Sequence, residues 1–320
     1  MPNAQNTDFS RGDSFTEAEE KARTLREIRL RKQAIDFMAS GLILYAALSA
    51  LIVFLDVLIL ESDFENYTST VVGVLVGFAC LYLLTKKQLP LSAYFAKDKS
   101  MTPLLFFLFF CAMCSGQLIF TFFDAGLEAL LNLFGLSAVS SVESATANAT
   151  NISSLIYGCL IAPVFEELVY RGFALRLSEP FGKKFAVLLS AFLFGIMHAN
   201  IPQGFFAFYI GLVLGYVAVN YSLLWSIALH FINNAIIGEL LSFLMRDLNE
   251  DTQTLIFYLL MGTCTLVAAV SVAVYRGRLV SFARNNPTAQ GTWRLVFTSV
   301  LMLLFFAMNI VPAFMSLDVL

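Results

Sequence analysis

The sequence predicts an all-α, polytopic transmembrane helical bundle of eight to nine spans, with its N-terminus in the cytosol. Three observations predict it. The 320 residues are 58% hydrophobic and only 13% charged, with a mean hydropathy of +0.76, whereas soluble domains are about a quarter charged. Apolar runs recur at lengths that suit a bilayer, which a helix of about 20 apolar residues crosses. Basic residues gather on alternate connecting segments, as the preference of Lys and Arg for the cytosolic side requires.

Residues 1–33 are polar and form the first segment. Ser14-Phe15-Thr16-Glu17 fits a capping box, and the stretch to Gln33 is rich in helix formers. The expected product is a cytosolic or surface-lying helix whose basic end, Arg29-Leu30-Arg31-Lys32, meets anionic lipid. No leader pattern opens the chain, so no signal peptide is expected.

Apolar runs then lie near 35–60, 71–85, 103–123, 154–177, 185–200, 204–221, 223–245, 254–275 and 295–315. The second and fifth are short for a crossing, which is why the count stands at eight to nine. The phenylalanine-rich stretch 105–123 reads as lipid-facing surface. Gly126 to Leu136 reads as amphipathic and membrane-lying, and Ser137 to Asn151 as a small polar loop. The chain divides accordingly into an N-terminal helix (1–33), N-terminal spans with an extracytoplasmic loop (34–150), core helices (151–246) and C-terminal spans (247–320).

With nine alternating helices and a cytosolic start, Arg246 is the one basic residue of the 20 on the far side. Asn66, Asn148 and Asn151 open glycosylation sequons there. The five cysteines all fall in apolar segments and are odd in number, which argues against a disulfide framework. The Cys111/Cys114 pair sits among Leu, Phe and Met and reads as small membrane-embedded side chains rather than a redox pair. No internal repeat, phosphate-binding loop or basic nucleic-acid surface is present, so no nucleic-acid partner is expected.

The chemistry concentrates in Ala162-Pro163-Val164-Phe165-Glu166-Glu167-Leu168-Val169-Tyr170-Arg171-Gly172. An ionised side chain at the centre of a spanning helix costs about 2.5–3.5 kcal/mol on insertion scales, so charges there usually have a use. The two histidines, His198 and His230, also lie in apolar runs, and each must face protein or a water-filled cavity. By helix rise, Glu166 sits about 16 Å, His198 roughly 20 Å and His230 roughly 10 Å from the cytosolic boundary. They can meet in one polar cavity, expected to open to the cytosol.

Spacing adds detail. Glu167 and Arg171 are four apart and face one another, while Glu166 shares the neighbouring face with Tyr170. His230 and Asn234 are likewise four apart, and Pro163 is placed to kink the helix just before the glutamates. Each residue also has a purely structural reading. Glu167 with Arg171 could simply order the bundle, and the histidines and Asn234 could bridge helices. Phe194 reads as packing. Asp36 and Asp56 read as snorkelling or bundle contacts, and Glu239 as lining the outer end of the cavity.

Glu166-Glu167-x-x-x-Arg171, Phe194-x-x-x-His198 and His230-x-x-x-Asn234 resemble the three motifs of the CPBP family of intramembrane endopeptidases, which process CAAX proteins and bacteriocins. They occur in order, each in its own helix, over about residues 150–245. The resemblance implies a glutamate-type proteolytic centre in a multi-pass membrane protein, of the cell membrane in a bacterium or the endoplasmic reticulum in a eukaryote. It makes Glu166 and His198 the water-activating pair and His230 with Asn234 the oxyanion stabilisers. Glu167, Arg171 and Phe194 are the accompanying site residues. A rival arrangement places a zinc ion on Glu166, His198 and His230, so the cofactor stays open. The implied partner is a membrane-anchored, in one branch lipidated, peptide or protein. Two other classes remain: a non-catalytic relative acting in bacteriocin immunity or as a scaffold, and an ion-coupled transporter.

Overall fold

The computed structural model describes residues 17–60, 67–146 and 149–320. The proposed capping box at Ser14 and the sequons at Asn66 and Asn148 lie outside the described residues. Helix α1 (Glu17–Leu60) is followed by α2 (Thr68–Thr85), a short α3 (Leu91–Tyr94) and α4 (Pro103–Asn132). A two-residue strand, β1 (Leu136–Ser137), leads into α5 (Val139–Thr146). The next helical stretch, Ile152 to Ser178, contains α6 (Ile152–Ile156), α7 (Ala162–Glu167) and α8 (Leu175–Ser178), joined by π-helical turns at Tyr157–Ile161 and Leu168–Ala174. Then come α9 (Lys183–Ile196), α10 (Ile201–Asn220) and α11 (Leu223–Ile232). A third π segment, Asn233–Leu240, connects α11 to α12 (Leu241–Met245). The chain ends with α13 (Glu250–Asn285), α14 (Thr292–Thr298), α15 (Val300–Met315) and β2 (Asp318–Val319), which pairs antiparallel with β1.

The molecule is a polytopic transmembrane helical bundle with almost no sheet. Among the described residues seven helices are long and apolar enough to cross a membrane, and an eighth span results if α14 and α15, bent by 65° at their junction, count as one. The remaining apolar run, 185–200, yields only the 14 residues of α9, about 21 Å at 1.5 Å per residue. It nevertheless runs antiparallel to α10. A Cβ on Gly195 would stand 2.7 Å from the Gly204 carbonyl oxygen, and one on Gly211 would stand 3.0 Å from Ala191 Cα. The two backbones thus touch through small residues, as close helix packing in a bilayer favours.

Helix starts follow local chemistry. Thr102, Asn200, Asn249 and Ser299 each cap a helix by accepting a backbone N–H with the side chain. Asn151 does the same for α6 in a reciprocal box with Ser154. Ser299 also donates to Asp36 Oδ1 at 2.6 Å, and Lys32 reaches Asp36 Oδ2 at 2.6 Å, so Asp36 is a bundle contact between α1 and the α14–α15 bend.

Three expectations change. The 126–136 stretch does not lie separately on a membrane surface: up to Asn132 it continues α4, because nothing before Gly135 at φ 71 breaks the helix. The stretch 137–151 is not merely a loop, since it contains α5. Ser141 in α5 donates to the Ser316 carbonyl at 2.8 Å, and Asn200 donates to the Ser141 carbonyl at 2.8 Å. The phenylalanines of α4 are only partly lipid-facing. Phe122 is exposed, but Phe123 stacks on Phe205 at 3.6 Å and Phe120 lies 5.5 Å from Phe206.

Candidate active site

The site forms where the Ile152–Ser178 stretch passes α9, α10 and α11. Pro163 stands just after the π turn Tyr157–Ile161, inside the continuous helical stretch, where its missing N–H removes one helical hydrogen bond. Around α7 the backbone widens into π turns on both sides, a feature common at functional sites. The adjacent glutamates therefore leave the helix in two different directions.

Glu167 points into solid protein. Its side chain is wholly buried, and so is that of Arg171, whose Nη1 donates to Glu167 Oε1 at 2.7 Å. The second carboxylate oxygen accepts a short hydrogen bond from Ser226 Oγ. His230 Nδ1 lies 3.1 Å from Oε1. Arg171 Nε and Nη2 have no hydrogen-bond partner among the described residues, but the guanidinium carbon rests 4.2 Å over the Phe194 ring, a cation–π contact.

Glu166 points into a cavity of about 680 Å³ that His198, His230 and Asn234 also line. Its Oε2 is 3.7 Å from His230 Nε2. A carboxylate accepts, so the contact with Glu167 puts a proton on His230 Nδ1 and leaves Nε2 facing Glu166. His198 is fixed in the same manner, because its Nδ1 is 2.8 Å from the Phe194 carbonyl oxygen. That acceptor assigns the proton to Nδ1 and leaves Nε2 with a lone pair.

His198 does not sit within a helix as expected. Helix α9 ends at Ile196, Ala199 takes a left-handed φ of 49°, and the chain turns back into α10. This turn presents His198 to the cavity. Phe194 does more than fill space: its ring meets His198 edge-on at 5.0 Å and His230 at 5.7 Å. Asn234 Nδ2 donates to the Gly158 carbonyl at 3.0 Å, and Asn233 Nδ2 donates to Asn234 Oδ1 at 3.1 Å. Glu239 lines the far end of the cavity, as expected, and accepts from the Ala149 N–H at 3.2 Å.

Sequence reasoning missed one contributor. Ser226 is fully buried and stands four residues before His230, so the spacing rule that paired His230 with Asn234 also reaches it. The same rule places Asn233 three residues after His230, and the structure gives it a task, orienting Asn234.

The zinc arrangement does not fit these positions. Among the described residues no three His, Cys, Asp or Glu side chains come together as a metal's ligand set. His230 Nδ1 is engaged by Glu167 and His198 Nδ1 by a backbone carbonyl, so any ligation would fall to the two Nε2 atoms.

The cavity has a direction. Its lining runs from His230 to Met245 along α11 and α12, from Tyr157 to Glu166, and from Gln203 to Ile210 in the first half of α10. These are the ends of the helices near Ala149, β1 and β2. The basic segments gather at the other end, where Arg31 donates to the Gln290 carbonyl at 2.8 Å and Arg176 to the Ala96 and Ala218 carbonyls at 3.1 Å.

Residues 148–236 match the family model described as Rce1-like, type II CAAX prenyl endopeptidase Rce1-like. The match contains every motif position from Glu166 to Asn234 and stops before Glu239. No curated protein and no solved structure matches the chain. The matched family is a protease family, and with the apolar helices it supports an integral, multi-pass membrane protein of protease type. The matched segment is less than half of the chain; over it the protein resembles the type II CAAX prenyl endopeptidases, which supports membership of the CPBP family of intramembrane endopeptidases.

Proposed function

We propose that the protein hydrolyses a peptide bond of a membrane-anchored substrate inside this cavity. The observation that carries the reading is the convergence of Glu166, His198, His230 and Asn234, from three separate helical segments, on one polar cavity. Glu166 takes a proton from water, and His198 Nε2 accepts the water's second hydrogen and orients it. The resulting hydroxide adds to the scissile carbonyl carbon. Proton transfer of this kind suits a carboxylate shielded from bulk water. His230, held from behind by Glu167, faces the developing oxyanion together with the Asn234 amide, and the two stabilise it. Collapse of the tetrahedral intermediate breaks the C–N bond, and Glu166 returns its proton to the leaving amine. Water and one peptide bond become one carboxyl and one amino terminus.

The test is purified protein in detergent against lipidated and unlipidated peptides, with and without a chelator. Cleavage that Glu166→Ala and His198→Ala each abolish, with unfolding temperature retained and the chelator without effect, is expected. Wild-type turnover by either variant refutes the assignment. A protective or binding phenotype that survives Glu166→Gln in an inactive protein favours the scaffold reading.

A further inference from the structure

His198 is carried by the short turn from Met197 to Ala199, between α9 and α10. The glycine contact that brings these helices together, Gly195 on Gly204, stops short of that turn. Within it the backbone gives little support. The Ala199 N–H reaches the Ile196 carbonyl at 3.1 Å and the His198 N–H the Gly195 carbonyl at 3.4 Å, the second longer than an ordinary amide hydrogen bond. Ala199 also adopts φ 49°, a left-handed conformation that is unfavourable for a residue with a Cβ. Such a conformation persists only where its surroundings enforce it.

Asn200, the next residue, works in two directions. Its Oδ1 accepts the Gln203 N–H at 3.0 Å and caps α10, while its Nδ2 donates to the Ser141 carbonyl of α5 at 2.8 Å. The cap is local and would travel with α10 wherever that helix moved. The amide contact crosses to another element, and that element is itself anchored on two sides. At the start of α5, Glu128 of α4 accepts from Ser137 Oγ at 2.7 Å and from the Ala138 N–H at 2.8 Å. Ser141 Oγ donates to the Ser316 carbonyl at 2.8 Å and Ser140 Oγ to Asp318 Oδ2 at 2.5 Å, beside the β1–β2 pair.

We propose that Asn200 is a positioning residue, which holds the His198 imidazole in the cavity by tying the α9–α10 turn to α5. His198 lines the cavity together with Glu166, whereas Asn200 lines a separate, apolar hollow of about 400 Å³. Asn200 therefore acts on water or substrate only through His198. Its anchor, Ser141 with Ser316 and Asp318, lies outside the matched segment 148–236, so the histidine of the second motif is supported by parts of the chain that carry no motif. The effect on turnover rests on the proteolytic reading; the hold on the turn does not.

The test separates the cap from the anchor in the full-length protein in detergent. Asn200→Ser keeps a capping oxygen and loses the amide donor, and Ser141→Ala loosens α5 from Ser316 without touching α10. Amide hydrogen exchange over residues 197–201, unfolding temperature, kcat and KM are measured for each. Asn200→Ser is expected to unfold near the wild-type temperature, to exchange about tenfold faster over the turn, and to lose about tenfold in kcat at unchanged KM, as one missing hydrogen bond dictates. Adding Ala199→Gly, which removes the penalty on φ 49°, should recover part of that kcat. Ser141→Ala should change exchange in the same direction, and combining it with Asn200→Ser should add nothing further at the turn. Wild-type exchange over 197–201 in Asn200→Ser, unchanged kcat, or a loss confined to KM overturns the proposal. No cleavage by the wild type, with the expected exchange pattern, refutes proteolysis while leaving the hold on His198 standing.

Discussion

His230 stands between two adjacent glutamates, with Nδ1 3.1 Å from Glu167 Oε1 and Nε2 3.7 Å from Glu166 Oε2. One imidazole thus joins a carboxylate sealed in protein to one that faces the cavity. Neighbours in sequence, the two acids have different surroundings and so different expected losses.

Glu167→Gln removes the buried partner of Arg171, and a buried charge left uncompensated costs about 3–5 kcal/mol. The variant is expected to unfold at much lower denaturant in detergent, or to fail to accumulate. Glu166→Gln, at a side chain facing the cavity, is expected to keep stability within about 1 kcal/mol of wild type while losing turnover. Parallel denaturation and activity measurements on the two variants separate the roles; equal stability loss would contradict them.

Ser226→Ala deletes a hydrogen bond to a charged group, with a stability loss of about 1.5–3 kcal/mol. Because Ser226 acts through Glu167 and His230, the expected kinetic signature is a kcat lowered about tenfold, roughly 1.4 kcal/mol of barrier, with KM unchanged. Ser226→Thr, which retains the hydroxyl, should recover much of it. A change confined to KM would argue for a role in binding instead.

Gly195→Ala would place a methyl 2.7 Å from the Gly204 carbonyl oxygen, a backbone atom that cannot swing aside. Separating α9 from α10 costs about 1–3 kcal/mol and shifts the turn that carries His198. A lower melting temperature together with lower kcat is the expected outcome. Wild-type behaviour would mean that the two helices can part without disturbing the site.

Much of the bundle can be read directly from the sequence because apolar length is a strong signal in a bilayer. The motif residues stand out because two histidines and two adjacent acids are costly in such a setting. The failures have physical reasons as well. The run 185–200 reads as one continuous helix, since nothing within it announces that Ala199 takes φ 49°. Ser226 is a common, small residue, and its weight comes from burial against Glu167. Depth along a helix places Glu166, His198 and His230 near one another, and all three line one cavity.

The π segment at Asn233–Leu240 has a consequence for sequence length. Residues in an α-helix follow one another at about 100°, and a π turn accommodates one extra residue without interrupting the helix. Deleting a single residue between Ile236 and Leu240 would remove the residue that the π turn absorbs and let the segment relax into regular α-helix, with Ser242 and Met245 still on the cavity wall. The same deletion in the regular turns of α11 would rotate everything beyond it by about 100°. The π turn thus marks where this helix tolerates a one-residue change in length.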